Sequence, residues 1–167
     1  MLINKYIHPI SRWKMPASAG NKGQSLHRMM KLGLAVPRAF YCDWKTYQQF
    51  PGNEKNILKH LEHELQGIID PLVKYAVRSS ANMEDSEDYS FAGQFDTVLN
   101  VQGIPAVLEA VQTVWASVHT PVVQAYLERH KISDTDLRMA VLIQEMAVPV
   151  FSGVALSRNP VTGADEI

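Results

Sequence analysis

The chain has 167 residues, 46% hydrophobic and 20% charged, with a formal net charge of −1, which fits one soluble domain with a sizeable core. The near-neutral balance leaves no global field favouring nucleic acid or an anionic membrane. The single cysteine, Cys42, excludes an internal disulfide framework and points to a reducing, cytoplasmic setting.

The opening stretch MLINKYIHPISRWKMP has no apolar h-region of a secretory signal, and no apolar run approaches the roughly 20 residues of a membrane span. Residues 22–33, KGQSLHRMMKLG, set Leu26, Met29, Met30 and Leu32 near one helical face, with Gly33 able to cap the end. AVPRAFYCDW is extended, because Pro37 biases Val36 away from helix, and Asp43 can cap a helix starting near Trp44. NEKNILKHLEHELQGIID is amphipathic through Ile57, Leu58, Leu61, Leu65, Ile68 and Ile69, and Pro71 breaks it. YAVRSS and FDTVLNV read as strands flanking a long loop. IPAVLEAVQTVWASV and PVVQAYLERHKI are helices, the second with Pro121 in its first turn. RMAVLIQEM and VFSGVALSRNP close the series as strands. We expect Ala76–Ser79, Asp96–Val101, Met139–Gln144 and Ser152–Ser157 in one sheet. The order implies a mixed α/β or α+β lobe, and we expect α+β: a mixed sheet with flanking helices.

Several stretches carry more polarity than a core needs. In SAGNKGQSLHRMM, small residues lead into a helix N-terminus. Its N–H groups and dipole attract phosphate, and Lys22 adds a positive charge; the plainer account is a glycine-rich turn with a solvated lysine. Arg78 ends an apolar strand, where its fork suits phosphate oxygens or one of the carboxylates that follow. EDSED, residues 84–88, could offer carboxylates to Mg²⁺, although a solvated acidic loop explains it more simply. In SFAGQFDT, Gly93 permits close backbone approach, and Ser90 and Thr97 supply hydroxyls; a tight hairpin is the alternative. Gln144 and Glu145 interrupt an apolar strand and could face an adenine edge with Met146 as an apolar wall, or be edge alternation. His60 and His63, spaced i, i+3, could share a metal, but with no third ligand in view they are most simply a solvated helix face. Cys42, Trp115 and the Met29–Met30 pair are most simply core.

Taken together, NKGQSLHRMMKLGLAVPRAF, VRSSANMEDSEDYSFAGQFDTVLNV, VWASVHTPVVQAYLERHKI, MAVLIQEM and FSGVALSRNPVTG resemble the N-terminal nucleotide-binding region of the pyruvate phosphate dikinase and phosphoenolpyruvate synthase group. Rifampin phosphotransferase belongs to the same group. The resemblance implies an ATP-grasp-like fold in which ATP lies between two α+β lobes, with residues 1–167 forming the first lobe only. It implies that Lys22 and Arg78 contact the phosphates, that Gly93 and Thr97 belong to the covering loop, and that Gln144 sits at the adenine edge beside Glu145 and Met146. In that family ATP passes its β-phosphoryl group to a histidine on a mobile domain and then, in the synthase, to pyruvate.

Two departures stand out. The usual Gly-Gly-Lys-Gly is Gly20-Asn21-Lys22-Gly23 here. VPRAF replaces VPPGF, expected to alter only a turn. None of His8, His27, His60, His63, His119 and His130 lies in the family's phosphohistidine motif. The resemblance therefore implies that the second lobe, the histidine domain, the barrel and the Mg²⁺ ligands lie outside this chain, which stops in mid-fold and is inactive alone. The alternatives are an antibiotic-modifying rifampin phosphotransferase and a non-catalytic nucleotide- or partner-binding module.

Overall fold

The computed structural model describes residues 5–83, 93–133, 136–153, 158–159 and 162–164. Among these, β1 (Ile7–Pro9), β2 (Ala39–Cys42), β3 (Lys74–Ala81), β4 (Thr97–Gln102) and β5 (Met139–Glu145) form one sheet in the order β1-β2-β5-β3-β4. The helices are α1 (Gly20–Lys31), α2 (Trp44–Gln49), α3 (Glu54–Gln66), α4 (Ile104–Ala116) and α5 (Pro121–His130). The α+β architecture is as the sequence implies. The sheet differs in one respect: every pairing among the described residues is antiparallel. β2 and β3 run the same way, as a helical crossover demands, but β5 is inserted between them and pairs with both.

Strand alternation gives the sheet two unequal faces. One carries Ile7, Phe40, Cys42, Tyr75, Val77, Met139, Val141 and Ile143 under α3, α4 and α5, and forms the main core. The other carries Ala39, Tyr41 and Leu142 under α1, whose Leu26 and Met30, with Ala19 just before the helix, pack against them. The expected cap at Asp43 is present, its carboxylate accepting the Thr46 N–H at 3.0 Å. α3 ends at Gly67, short of Pro71. Ile68 and Ile69 stay buried outside the helix. Cys42 is buried, and burial pushes its thiol well above the ordinary range, as suits a core thiol. Ser152 and Gly153 are not in a strand, and residues 154–157 of the fourth expected strand lie outside the described residues.

Nothing in the sequence pattern announces β1. It is three residues long and is held from a distance. The Glu64 carboxylate on α3 accepts N–H bonds from Lys5 at 2.8 Å, Tyr6 at 3.1 Å and Ile7 at 2.8 Å. Charge-assisted bonds of this kind are the strong class.

The tightest contact joins α1 to β3. Gly20 has φ 73°, and a Cβ there would lie 1.7 Å from the Ser80 carbonyl oxygen. Gly33, just past the end of α1, has φ 78° and no neighbour within 4 Å. Both positions favour glycine conformationally, but only the first is also closed by backbone. Gly20→Ala is expected to cost about 2–4 kcal/mol, and Gly33→Ala about 1 kcal/mol. Urea unfolding of the two variants measures the difference. Equal losses would mean that the contact of α1 with Ser80 is not tight.

Candidate functional site

α1 begins where a 3-10 turn, Ala17–Ala19, reaches the sheet. The buried Ser80 hydroxyl donates to the Ala19 carbonyl at 2.7 Å and accepts the Gly23 N–H at 3.1 Å. This pair of bonds fixes the first turn of a helix with no side-chain cap against a strand about sixty residues away. Lys22 lies in that turn, and its ammonium donates to the Ser79 hydroxyl at 3.3 Å.

Arg78 stands on the same side. Directly opposed residues share a sheet face, so the register places Thr97, Arg78, Leu142 and Tyr41 in one row across β4, β3, β5 and β2. The Arg78 guanidinium donates from Nη1 to Gln144 Oε1 at 3.4 Å. Among the described residues no carboxylate pairs with it. Gln144 is 8% exposed and flanked across the sheet by the small residues Ala39 and Ala76. Lys22, Ser25, Leu26, Met29, Arg78 and Leu142 line a cavity of about 180 Å³. It has two cations at one wall, an apolar floor and a helix N-terminus at its rim. A polyphosphate fits that combination: the N–H groups and both cations offset its charge, and the apolar part suits a base or ribose.

Two larger cavities do not offer this. One of about 390 Å³ lies between β4 and α4, and its only charged lining residue is Glu109. The other, of about 420 Å³ beyond the end of α3, has no charged lining residue.

The remaining sequence candidates separate. Thr97 is exposed beside Arg78. Gly93 has φ 72° and no neighbour within 4 Å of a Cβ, so its backbone is open to approach. Glu145 follows Gln144 but alternation turns it to the other face. There its Oε1 lies 3.6 Å from the Arg38 guanidinium, which also sits over the Phe40 ring. Met146 accepts the Asn100 N–H on sulfur at 3.2 Å, where Asn100 takes φ 59° at an irregular step of β4. The acidic run 84–88 and Ser90 lie outside the described residues. Among the described residues no group of three or more His, Cys, Asp or Glu could hold a metal ion.

The Arg38–Ala39 departure reaches further than a turn. Ala39 opens β2 opposite Gln144, and the Arg38 carbonyl accepts the Glu145 N–H at 2.8 Å. Sequence reasoning also placed Met29 in the core. It is 44% exposed and lines the cavity. Its signal was available: Lys22, Leu26 and Met29 follow the i, i+4, i+7 spacing of one helix stripe.

Comparison with known proteins gives the family. Residues 54–167 match the model of the pyruvate phosphate dikinase AMP/ATP-binding domain, a span that holds every candidate except Lys22. Phosphoenolpyruvate synthase of Aeropyrum pernix is 31% identical over 96% of this chain and 25% of its own length, a span that includes Lys22. Prodigiosin synthesizing transferase PigC of Serratia marcescens is 32% identical over 89% of the chain and 19% of its own. Rifampicin phosphotransferase of Streptomyces sviceus is 47% identical over 53% of the chain and 10% of its own. The chain thus spans a quarter or less of the length of these relatives. It belongs to the pyruvate phosphate dikinase AMP/ATP-binding domain family.

Proposed function

We propose that residues 1–167 form the first lobe of an ATP-grasp-like domain in a dikinase-type phosphotransferase. The observation that carries this reading is the meeting of Lys22 and Arg78, far apart in sequence, at one cavity beside the start of α1. In this reading the polyphosphate lies over the α1 N-terminus. Lys22 and Arg78 neutralise its charge, Thr97 and the backbone at Gly93 border it, and Gln144 meets the adenine edge. Arg78 does two things at once: it holds Gln144 through Nη1 and keeps its other N–H groups for phosphate oxygens. Phosphoryl transfer asks a protein mainly for positioning and charge neutralisation, which these residues supply. Glu145 and Met146 act differently: their side chains hold the end of β5, and only the strand end borders the base.

The β-phosphoryl group then passes to a histidine, and from there to pyruvate. Pyruvate is the preferred acceptor because the synthase relative aligns across nearly the whole chain. A rifampicin-type acceptor is the second reading, favoured by the higher identity over a shorter span. The acceptor is chosen outside this region, as is any site for Mg²⁺. Exposed Val148, Val150 and Phe151, at 96%, 87% and 93%, fit a lobe that packs against more protein. Cytoplasmic work is consistent with the absence, among the described residues, of any helix long and apolar enough to cross a membrane.

Two outcomes follow. In the full-length protein, Arg78→Lys should lower kcat/KM for ATP by about 10²-fold or more, because a point charge cannot hold Gln144 and phosphate together. Near-normal kinetics would remove Arg78 from the site. The purified 167-residue chain with ATP, Mg²⁺ and pyruvate should release no AMP, whereas a polypeptide extended through a second lobe and a histidine domain should. Robust AMP release at catalytic concentrations of the short chain would end the first-lobe reading.

A further inference from the structure

Charge is distributed along this chain far less evenly than its net value of −1 suggests. Residues 1–42 contain seven Lys or Arg and no Asp or Glu. They build β1, α1, β2 and the loops between them, so the imbalance becomes a spatial one: α1 and its entry loop contribute four exposed cations and no carboxylate of their own on one side of the sheet. Arg38 is matched by Glu145, and Lys5 lies next to the Glu64 carboxylate, which its own N–H contacts. Arg12, Lys14, Arg28 and Lys31 are exposed and have no carboxylate partner among the described residues. The entry loop is not loose. The Gln24 amide donates to the Pro16 carbonyl at 2.6 Å, and His27 Nδ1 bonds to the Ser11 carbonyl, so Arg12 and Lys14 are carried on α1 itself.

None of the four lines the cavity that Lys22 and Arg78 share. Arg28 and Lys31 are about 9 and 13 Å from Lys22 along the helix axis, at 1.5 Å per residue. Those separations are too long for contact but lie within reach of an unscreened field. The Debye length is about 8 Å at physiological salt and about 30 Å at 0.01 M. A nucleoside triphosphate carries several negative charges, and a one-signed surface beside a cleft concentrates such a ligand.

Resting on the nucleotide-binding reading above, we propose that Arg12, Lys14, Arg28 and Lys31 form an electrostatic collecting surface. It draws the polyphosphate of ATP toward the Lys22–Arg78 cavity without touching the bound nucleotide.

The test is the Kd for ATP of the 167-residue chain, from phosphorus NMR titrations in low and high salt. One variant combines Arg12→Gln, Lys14→Gln, Arg28→Gln and Lys31→Gln. A charge-matched control combines Lys55→Gln, Lys59→Gln, Arg129→Gln and Lys131→Gln, all exposed on α3 or at the end of α5, across the sheet. In about 20 mM salt the first variant should bind about tenfold more weakly than the parent, and the two should converge to within about twofold in 0.5 M salt. The control should stay within about twofold of the parent throughout. Equal losses in both variants would show that net charge acts rather than this surface. A loss that persists in high salt would show direct contact. Either result overturns the collecting role, as does an unchanged affinity. A parent chain that binds no ATP at any salt would instead sink the nucleotide-binding reading, and this proposal with it.

Discussion

Ser80 holds the geometry of the site together. One hydroxyl both donates to Ala19 and accepts from Gly23, and the carbonyl of the same residue leaves no space for a side chain at Gly20. The helix N-terminus therefore meets the strand at one place and angle. Lys22 is delivered beside Ser79, and Arg78, two positions before Ser80 along the strand, comes up on the same face as Ser80. If this contact loosened, the two cations would remain in the chain but not at one cavity. A polyphosphate would then have to recruit them one at a time and bear the ordering cost.

Alternation in β5 decides the rest. Gln144 and Glu145 are adjacent polar residues, and a pleated strand sends them to opposite faces. Gln144 turns toward α1 and takes the Arg78 guanidinium. Glu145 turns away and takes Arg38, whose own guanidinium lies over Phe40 of the main core. The end of β5 is thereby braced on both faces, by Arg38 on one and Arg78 on the other. The two faces divide the labour: α3, α4 and α5 bury the large apolar residues, and the α1 side keeps small residues, cations and an open cavity.

Much of this was legible in the sequence, for identifiable reasons. α3, α4 and α5 repeat apolar residues with helical spacing over ten or more positions, and β3 and β5 are dense apolar runs between turn signals. Local pattern is enough for such elements. β1 was missed because its stability is supplied by Glu64, nearly sixty positions later. The antiparallel pairing was missed because the place of β5 between β2 and β3 is a long-range choice. The candidate residues could be picked out one by one, but not the sides they occupy. Alternation shows that Gln144 and Glu145 diverge, yet only tertiary packing says which of them faces Lys22. Met29 was assigned to the core because a helix stripe looks the same whether it meets a sheet or lines a cavity.

Nucleotide binding on the α1 side is the central claim, and amide chemical shifts of the isotope-labelled chain during ATP titration test it most directly. The largest changes should fall on Gly20–Gly23, on Arg78–Ser80 and on Gln144, with the α3 face silent. Changes centred instead on Val98–Gln102 and the facing side of α4, where the roughly 390 Å³ cavity lies, with α1 unmoved, would contradict it.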